Sequence, residues 1–322
     1  MKHQLQRILA ALICVLAAAA QAQDYPNRPL RMIVPFVPGG SSDFVARAIQ
    51  PKMMELLGQT MVIDNRAGAS GNVGVEIAAR SVPDGYTLFL GNTGTMALYP
   101  VVYPKLPYDA LKDFAAIGQI ASSSQLLVLH PSVPAKSLRE FIAFAKNHSG
   151  KLTIAIAGQG STAHFSAELL KARAGIDLLL VPYKGSGPAV TDLMGGQVDL
   201  ILDAPSVTMP YVKAGRLRAI AVTRTERLSA LPNVPTFEEA GLKNFEASGW
   251  QGLLVPTGTP PAAVAKLANA LTKTLAYTEV RDRFIDQGLD PAPSTPEQFG
   301  AYIRAEIEKW GRVAKAANLK ID

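Results

Sequence analysis

A glycine-rich turn joins the first strongly apolar segment to a helical pattern, and it reads Pro38-Gly39-Gly40-Ser41-Ser42. Paired glycines allow a sharp backbone turn and the close approach of a ligand, and Ser41, Ser42 and Asp43 are good N-cap candidates. The first N–H groups of a helix have no partner inside the helix and attract carboxylate or phosphate. The turn therefore predicts an anion site, although taken alone it is explained more simply as an ordinary capped helix start.

A second turn of this design reads Gly158-Gln159-Gly160-Ser161-Thr162-Ala163-His164. It matches G-x-G-x-x-A, a dinucleotide fingerprint that requires an acidic residue near the end of the next strand. Asp177 comes before that strand, and Tyr183 and Lys184 follow it. We therefore favour a small-anion loop and keep a dinucleotide site as an alternative. His164 could orient the loop, contact the ligand, or serve only the structure.

Further polar side chains follow other predicted strands. Tyr183 and Lys184 lie in a third glycine-rich turn, where Lys184 could bring a positive charge to a pocket or point into solvent. Asp203 ends a strand, so it could contact an ammonium or hydroxyl group or cap the next helix. Asn92, Thr93 and Thr95 offer amide and hydroxyl groups after another strand. Loops at the carboxyl ends of strands form the binding crevice of an open α/β sheet.

Sequence signatures of catalysis are absent. There is no G-x-S-x-G, Walker A or H-E-x-x-H sequence, so nucleophilic, phosphoryl-transfer and zinc chemistry lack support. The histidines after the first apolar run are widely spaced and fit no metal-ligand pattern. A triad of Ser161, His164 and Asp203 stays open, because spacing along the chain does not exclude it.

The chain of 322 residues carries a formal charge of +6 and 18% charged residues. Its basic residues are scattered, whereas nucleic-acid binding usually needs a concentrated patch. The first residues combine a basic start, an apolar run over Ile8–Ala20 and an Ala20-Gln21-Ala22 cleavage site. This is the layout of a secretory signal peptide. We expect residues 1–22 to be removed, together with Cys14, the one cysteine, and the protein to act in the periplasm.

Apolar strands alternate with helical patterns through most of the chain. Leu30–Val37 and Leu152–Ala157 are typical predicted strands, and Phe44–Leu57 and Ala163–Ala172 are typical predicted helices. The last third is predicted to be helical, at Ala262–Leu275, Glu279–Gln287 and Pro296–Ala317. Continuous apolar strands separated by helices indicate an α/β fold with parallel sheets covered on both faces.

Seven segments, taken in order, resemble the Bug/TctC family, the extracytoplasmic solute receptors of tripartite tricarboxylate transporters. They are VPFVPGGSSD from Val34, NRAGASGNVG from Asn65, PDGYTL from Pro83, LPYD from Leu106, VPYKG from Val181, DLMGGQVD from Asp192 and KAGRLRA from Lys213. The resemblance covers nearly the whole chain after the leader. It departs from the usual family pattern at Val37 and at Met96.

The resemblance implies a two-lobed periplasmic binding protein fold of type II topology, with a ligand cleft between two open sheets flanked by helices. Lobe 1 would hold residues 23–123 and 245–322, and lobe 2 residues 124–244. The family binds a small carboxylate through backbone N–H groups and water on one loop of each lobe. The corresponding loops here are Pro38–Ser42 and Gly158–His164.

The function expected from this resemblance is capture of a small carboxylate for membrane permease subunits, by a monomer without a cofactor, a metal or enzymatic activity. A receptor that signals to a membrane kinase is one alternative, and a periplasmic hydrolase using Ser161 or His164 is another.

Overall fold

The computed structural model describes residues 25–319, except residues 159, 184, 225, 229, 244 and 246. The predicted signal peptide at residues 1–22 and the predicted site residues Gln159 and Lys184 therefore lie outside the described residues. Within the described part, the strands form two sheets connected by helices. This arrangement confirms the predicted α/β class with two open sheets.

The first sheet combines strands from the two ends of the described chain. Its strands are β1 (Leu30–Val34), β2 (Met61–Asn65), β3 (Thr87–Asn92), β4 (Phe114–Ser123), β10 (Gly249–Pro256) and β11 (Leu289–Pro291). They lie in the order β11-β4-β10-β3-β1-β2. The strands β1, β2 and β3 are parallel, as the apolar runs predict.

The second sheet uses only the middle of the chain. Its strands are β5 (Leu126–Leu129), β6 (Thr153–Ile156), β7 (Leu179–Pro182), β8 (Leu200–Asp203) and β9 (Arg218–Val222), in the order β7-β6-β8-β5-β9. The chain passes from the first sheet to the second between β4 and β5, and it returns between β9 and β10. The lobe boundaries at residues 123 and 245 stay a prediction.

The prediction of parallel sheets holds for only part of each sheet, because both sheets are mixed. Strand β10 runs antiparallel to both β3 and β4, and β5 runs antiparallel to both β8 and β9. Burial on both faces makes a strand continuously apolar, and central strands of a mixed sheet are buried in the same way as parallel ones. Hydrophobicity alone therefore did not reveal the strand direction.

The helices connect the strands and cover both sheets. They are α1 (Ser41–Leu57), α2 (Asn72–Ala79), α3 (Tyr99–Val102), α4 (Leu138–Asn147), α5 (Thr162–Ala174), α6 (Ser186–Met194), α7 (Pro205–Lys213), α8 (Pro261–Ala276), α9 (Thr278–Asp286) and α10 (Pro296–Ala316). A π-helical turn at Gly94–Leu98 precedes α3. The three helices predicted in the last third correspond to α8, α9 and α10.

Strand β10 was not predicted, although all eight of its residues are buried. Its sequence contains Gly249, Gly252 and Gln251, which interrupt an apolar run. The glycine at 252 is required by packing, because a Cβ there would lie 2.1 Å from the Phe299 ring of α10. Because α10 lies so close to the first sheet at this point, position 252 must be glycine, and this glycine makes the strand harder to recognise in the sequence.

Candidate functional site

A cavity of about 520 Å³ is lined by residues from both sheets and from the passages between them. The lining includes Gly39, Gly40 and Ser41 from the first sheet's side and Ser161, Thr162, Ala163, Ser186, Asp203 and Ser206 from the second's. Four helices, α1, α5, α6 and α7, begin at or beside this wall. Because helix starts expose N–H groups and carry partial positive charge, the cavity suits an anion.

The start of α1 leaves its first amides free. Gly40 is the N-cap residue, in an extended conformation (φ −81°, ψ 173°), and no side chain caps the helix. Among the described residues, the N–H groups of Gly40, Ser41 and Ser42 have no hydrogen-bond partner. The prediction that Ser41, Ser42 or Asp43 caps this helix is therefore wrong, and the uncapped start is better suited to bind an anion than a capped one.

The carboxylate of Asp43 fixes the turn before α1 instead of capping the helix. Its Oδ2 accepts hydrogen bonds from Gly39 N–H and from Arg47 Nε, both at 2.9 Å, and its Oδ1 accepts one from Asn65 Nδ2 at 3.1 Å. Asn65 also donates to the Phe36 carbonyl at 2.9 Å. The hydrogen bond from Arg47 lowers the pKa of the Asp43 carboxyl, although burial opposes this. The turn is therefore held by an ionised, mostly buried carboxylate.

The start of α5 is organised by Ser161 and His164. The Ser161 hydroxyl accepts a hydrogen bond from His164 N–H at 3.2 Å and donates one to the Gly158 carbonyl at 2.7 Å. His164 Nδ1 accepts from Gly160 N–H at 3.1 Å. Gly158 has φ +137°, and a backbone with this φ favours glycine. Thr162 and Ala163, the first residues of α5, line the cavity. The first N–H groups of a helix have no partner inside the helix, so they are available to a group in the cavity.

These contacts do not assemble a catalytic triad. The Ser161 hydroxyl donates to a backbone carbonyl rather than to the His164 ring, and Asp203 Oδ1 accepts from Ala204 N–H at 2.7 Å. Burial lowers the pKa of His164 below its ordinary value of 6.5. The imidazole is thus a neutral acceptor inside the loop, which is a positioning role.

The lining of this cavity also contains buried polar side chains. Asp203 is 7% exposed, Gln125 6% and Ser124 2%. Asp203 Oδ2, Gln125 Oε1 and Ser124 Oγ have no hydrogen-bond partner among the described residues. Burial raises the pKa of the Asp203 carboxyl, and the nearby Ser186 hydroxyl partly offsets this. Sequence reasoning missed Ser124 and Gln125, which belong to a short passage between β4 and β5 and match no motif.

The two passages between the sheets are tied together beside these side chains. Thr223 Oγ1 accepts from Gln125 N–H at 2.8 Å and donates to the Ala247 carbonyl at 3.2 Å. Ser248 Oγ donates to the Thr223 carbonyl at 3.4 Å. One threonine therefore joins both connections, so a movement of one sheet relative to the other must involve it.

A smaller cavity of about 200 Å³ lies beside the first and shares Ser123, Ser161, Thr162 and Gly249 with it. Asn92, Thr93 and Gly160 line it. Trp250 N–H donates to Thr93 Oγ1 at 2.7 Å, and Gln251 Nε2 donates to Ser41 Oγ at 2.9 Å. Strand β10, which the sequence did not predict, thus places Trp250 and Gln251 at the site.

The predicted site residues divide between the cavity walls and the layer behind them. Gly39, Gly40, Ser41, Asn92, Thr93, Gly160, Ser161, Thr162 and Asp203 line one or both cavities. Pro38, Ser42, Thr95, Gly158, His164 and Tyr183 do not. Thr95 bonds to Asn92, and the Tyr183 hydroxyl donates to Asp192 Oδ2 at 2.7 Å. The outer group supports the loops rather than the cavity surface.

The long helix α10 packs against β4 of the first sheet and against α5, which belongs to the second sheet's side, and none of its residues lines either cavity. Glu306 is 3% exposed, and its Oε2 accepts hydrogen bonds from Trp310 Nε1 at 2.9 Å and Trp250 Nε1 at 3.3 Å. Lys309 forms an ion pair with its other oxygen. Trp310 also meets Phe165 of α5 edge to face, with ring centroids 5.6 Å apart. Helix α5, which begins at the cavity, therefore packs against α10.

The described residues contain neither a metal-ligand cluster nor a membrane-spanning helix. In the described part of the chain, no three histidine, cysteine or acidic side chains come together as metal ligands would. No helix there has the length and apolar character needed to cross a membrane.

Comparison with known proteins was consistent with this geometry. Residues 45–319 match the model of the tripartite tricarboxylate transporter family receptor. The chain is 36% identical to BugT of Bordetella pertussis over 307 residues, which is 95% of this chain and 94% of BugT.

Two solved structures of similar proteins contain carboxylates. One is an R. palustris protein with adipate, which is 35% identical, with a TM-score of 0.80 and coverage of 92% of this chain and 99% of its own. The other is MatC of Rhodopseudomonas palustris with bound malate, which is 36% identical, with a TM-score of 0.75 and coverage of 90% and 99%. These similarities confirm the predicted periplasmic binding protein fold.

Proposed function

This chain belongs to the tripartite tricarboxylate transporter receptor family, and we propose that it captures a small carboxylate in the 520 Å³ cavity and delivers it to membrane permease subunits. Members of this family are solute receptors rather than enzymes. The proposal adds the ligand class, the binding surface and the delivery step for this chain.

The observation that carries the proposal is the uncapped start of α1 beside the start of α5 at one cavity. The amides of Gly40, Ser41 and Ser42 have no hydrogen-bond partner among the described residues, and Thr162 and Ala163 line the same cavity from the other sheet. Carboxylates form strong hydrogen bonds with backbone N–H groups at helix starts. No lysine, arginine or histidine occurs among the described residues of the lining, so backbone donors would supply the attraction.

Capture is proposed to work by closure around the ligand. A carboxylate that bonds both helix starts at once binds the closed arrangement better than the open one, and this differential affinity shifts the equilibrium. We take residues 23–123 with 245–322 as one lobe and 124–244 as the other. The passages joined by Thr223 are then the hinge. The protein is proposed to act as a periplasmic monomer after loss of residues 1–22.

Native mass spectrometry of freshly purified protein tests the binding step. We expect a bound species whose mass equals that of a small carboxylic acid, and calorimetry with that acid should give saturable binding. Protein that carries no acid and binds none of a broad carboxylate panel would contradict the proposal. Uptake of the labelled acid by cells that lack this protein tests delivery, and unchanged uptake would instead favour a sensory receptor.

A further inference from the structure

We infer that the ligand of this cavity is a carboxylate that also carries a hydrogen-bond donor, a hydroxyl or an ammonium group, directed toward Asp203 and Gln125. This inference rests on the proposed function, because it assumes that the carboxylate lies at the helix starts. It follows from the presence of both free backbone donors and buried acceptors in one cavity lining.

Ser124, Gln125 and Asp203 form what we call the acceptor wall. Each is at least nine-tenths buried, and each presents an oxygen without a hydrogen-bond partner in the described chain. All three residues line the same cavity as the helix starts. Two of these oxygens can only accept hydrogen bonds, since Asp203 Oδ2 belongs to a carboxylate when that group is ionised and Gln125 Oε1 belongs to a side-chain amide.

The fold holds these residues side by side. Strand β5 pairs with β8 so that Leu126 lies opposite Asp203, which places Gln125 next to the end of β8. The Gln125 backbone is fixed by its 2.8 Å hydrogen bond to Thr223, and Asp203 is fixed by its 2.7 Å bond from Ala204 N–H. The wall is therefore built on strand ends and the hinge passage, not on a mobile surface loop.

Leaving buried acceptors unpaired is unfavourable, with a cost of about 1–3 kcal/mol for each group. Three such oxygens at one cavity indicate that the missing donors come from the ligand. Asp203 is the one charged residue among the described lining residues. A second bare carboxylate directed at it would be repelled, whereas a hydroxyl or ammonium would be bound. The solved relatives include both types, since adipate lacks such a donor and malate has one.

Matched acids that differ at one carbon test this inference by calorimetry. The sets are succinate, malate and aspartate; glutarate, 2-hydroxyglutarate and glutamate; and propionate, lactate and alanine. The acid identified by native mass spectrometry is compared in the same way with its analogue lacking the donor. We expect the donor-bearing member to bind at least about tenfold more tightly. Whether the hydroxyl or the amino acid binds best distinguishes the two donors.

Two variants connect the preference to the wall. Asp203→Asn and Gln125→Met should each reduce the ratio of the two affinities to less than about threefold. Asp203→Asn removes a buried charge, and Gln125→Met keeps the length of the side chain, so one remains informative if the other fails to fold. Gln197→Met, the same substitution at an exposed residue that lines neither cavity, serves as a matched control that should leave the ratio unchanged.

Equal affinity for acids with and without the donor, or an unchanged ratio in both variants, would overturn the inference and leave the proposed function intact. Failure of every acid to bind would overturn both.

Discussion

Gly160 N–H donates a hydrogen bond to His164 Nδ1 at 3.1 Å. A backbone N–H is always a donor, so this ring nitrogen must be unprotonated for the bond to exist. This hydrogen bond links the loop before α5 to the first turn of that helix, and Ser161 and Thr162, which lie between the two residues, line the cavity. In the proposed function, this histidine would act on the ligand through the backbone of the loop.

The first prediction concerns pH. Burial lowers the pKa of His164. The stabilisation that the neutral ring gives to the fold is therefore fully present above the ordinary value of 6.5 and is lost as the pH falls through the lowered pKa. Protonation of Nδ1 breaks the bond to Gly160, and ligand affinity should fall with it. Glu168 and Lys171 also face the ring and shift its pKa in opposite directions. Calorimetry between about pH 8 and pH 5, a range that spans the ordinary histidine pKa, measures the loss.

His164→Asn is the matched control, because the asparagine Oδ1 can accept the same bond and does not titrate. Its affinity should stay level over the range in which the wild-type affinity falls. His164→Ala should weaken folding by at least about 1 kcal/mol, the usual contribution of one hydrogen bond. An equal loss of affinity with pH in His164→Asn would exclude this histidine as the cause.

The sequence predicted which loops lie at the cavities better than the contacts inside those loops. Glycine-rich turns after apolar strands are local signals, and Gly39, Gly40 and Gly160 all lie at the cavities. Whether a helix start is capped depends on distant residues. Asp43 is drawn away from capping by Gly39, Arg47 and Asn65, and the last of these is 22 positions along the chain.

The acceptor wall was even less accessible to sequence reasoning. The side-chain oxygens of Ser124 and Gln125 have no partner among the described residues. These residues lead into β5, which lies between β8 and β9, so their surroundings depend on the strand order. Trp250 and Gln251 lie on β10, whose place in the sheet depends on packing against Phe299. Such residues have no local motif, since the fold and not the sequence neighbourhood gives them their surroundings.

The second prediction separates the amide of Gly40 from the shape of its turn. The φ of −81° at this position is close to the value near −65° that the proline ring fixes, and proline removes the N–H group. Gly40→Pro should lower carboxylate affinity about tenfold or more, because a hydrogen bond to a charged group contributes about 1.5–3 kcal/mol. Calorimetry with the acid found by native mass spectrometry measures this loss.

Gly40→Ala provides the control for the same position. The new Cβ would lie 3.7 Å from the Val37 carbonyl oxygen, an ordinary contact, and the N–H group stays. Its affinity should remain within about twofold of the wild type, a difference below about 0.5 kcal/mol. If the alanine and proline variants lose affinity equally, the Gly40 amide does not bind the ligand.

The third prediction concerns the carboxylate that fixes the first loop. Asp43→Ala removes three hydrogen bonds at once, from Gly39, Arg47 and Asn65, and should destabilise the fold by about 2–4 kcal/mol. Because Arg47 lowers the pKa of Asp43, the stabilisation is present at neutral pH and disappears as the pH falls through the lowered pKa. Urea unfolding at pH 7 and at pH 3 measures both effects.

Glu55→Ala is the control on the same helix, since the Glu55 carboxylate that pairs with Lys52 is exposed and surface ion pairs contribute about 0–1 kcal/mol. A loss for Asp43→Ala no larger than that for Glu55→Ala would show that the loop does not depend on this carboxylate.

The fourth prediction concerns Glu306, which joins β10 to α10. Its Oε2 accepts from the indoles of Trp250 and Trp310, and both are buried. Glu306→Ala leaves two buried N–H donors unpaired and should destabilise the protein by about 3 kcal/mol or more. Trp250 and Trp310 are the two tryptophans of the chain, so tryptophan fluorescence reports directly on this contact as urea unfolds the protein.

The exposed Glu308 on the same helix gives the comparison, and Glu308→Ala should change stability by less than about 0.5 kcal/mol. Trp310 also contacts Phe165 at the start of α5, so ligand binding at Ser161 and Thr162 should alter its emission. Trp310→Phe removes that signal if it arises there. A ligand-induced change of the same size in Trp310→Phe would assign it to Trp250 and contradict the coupling between α5 and α10.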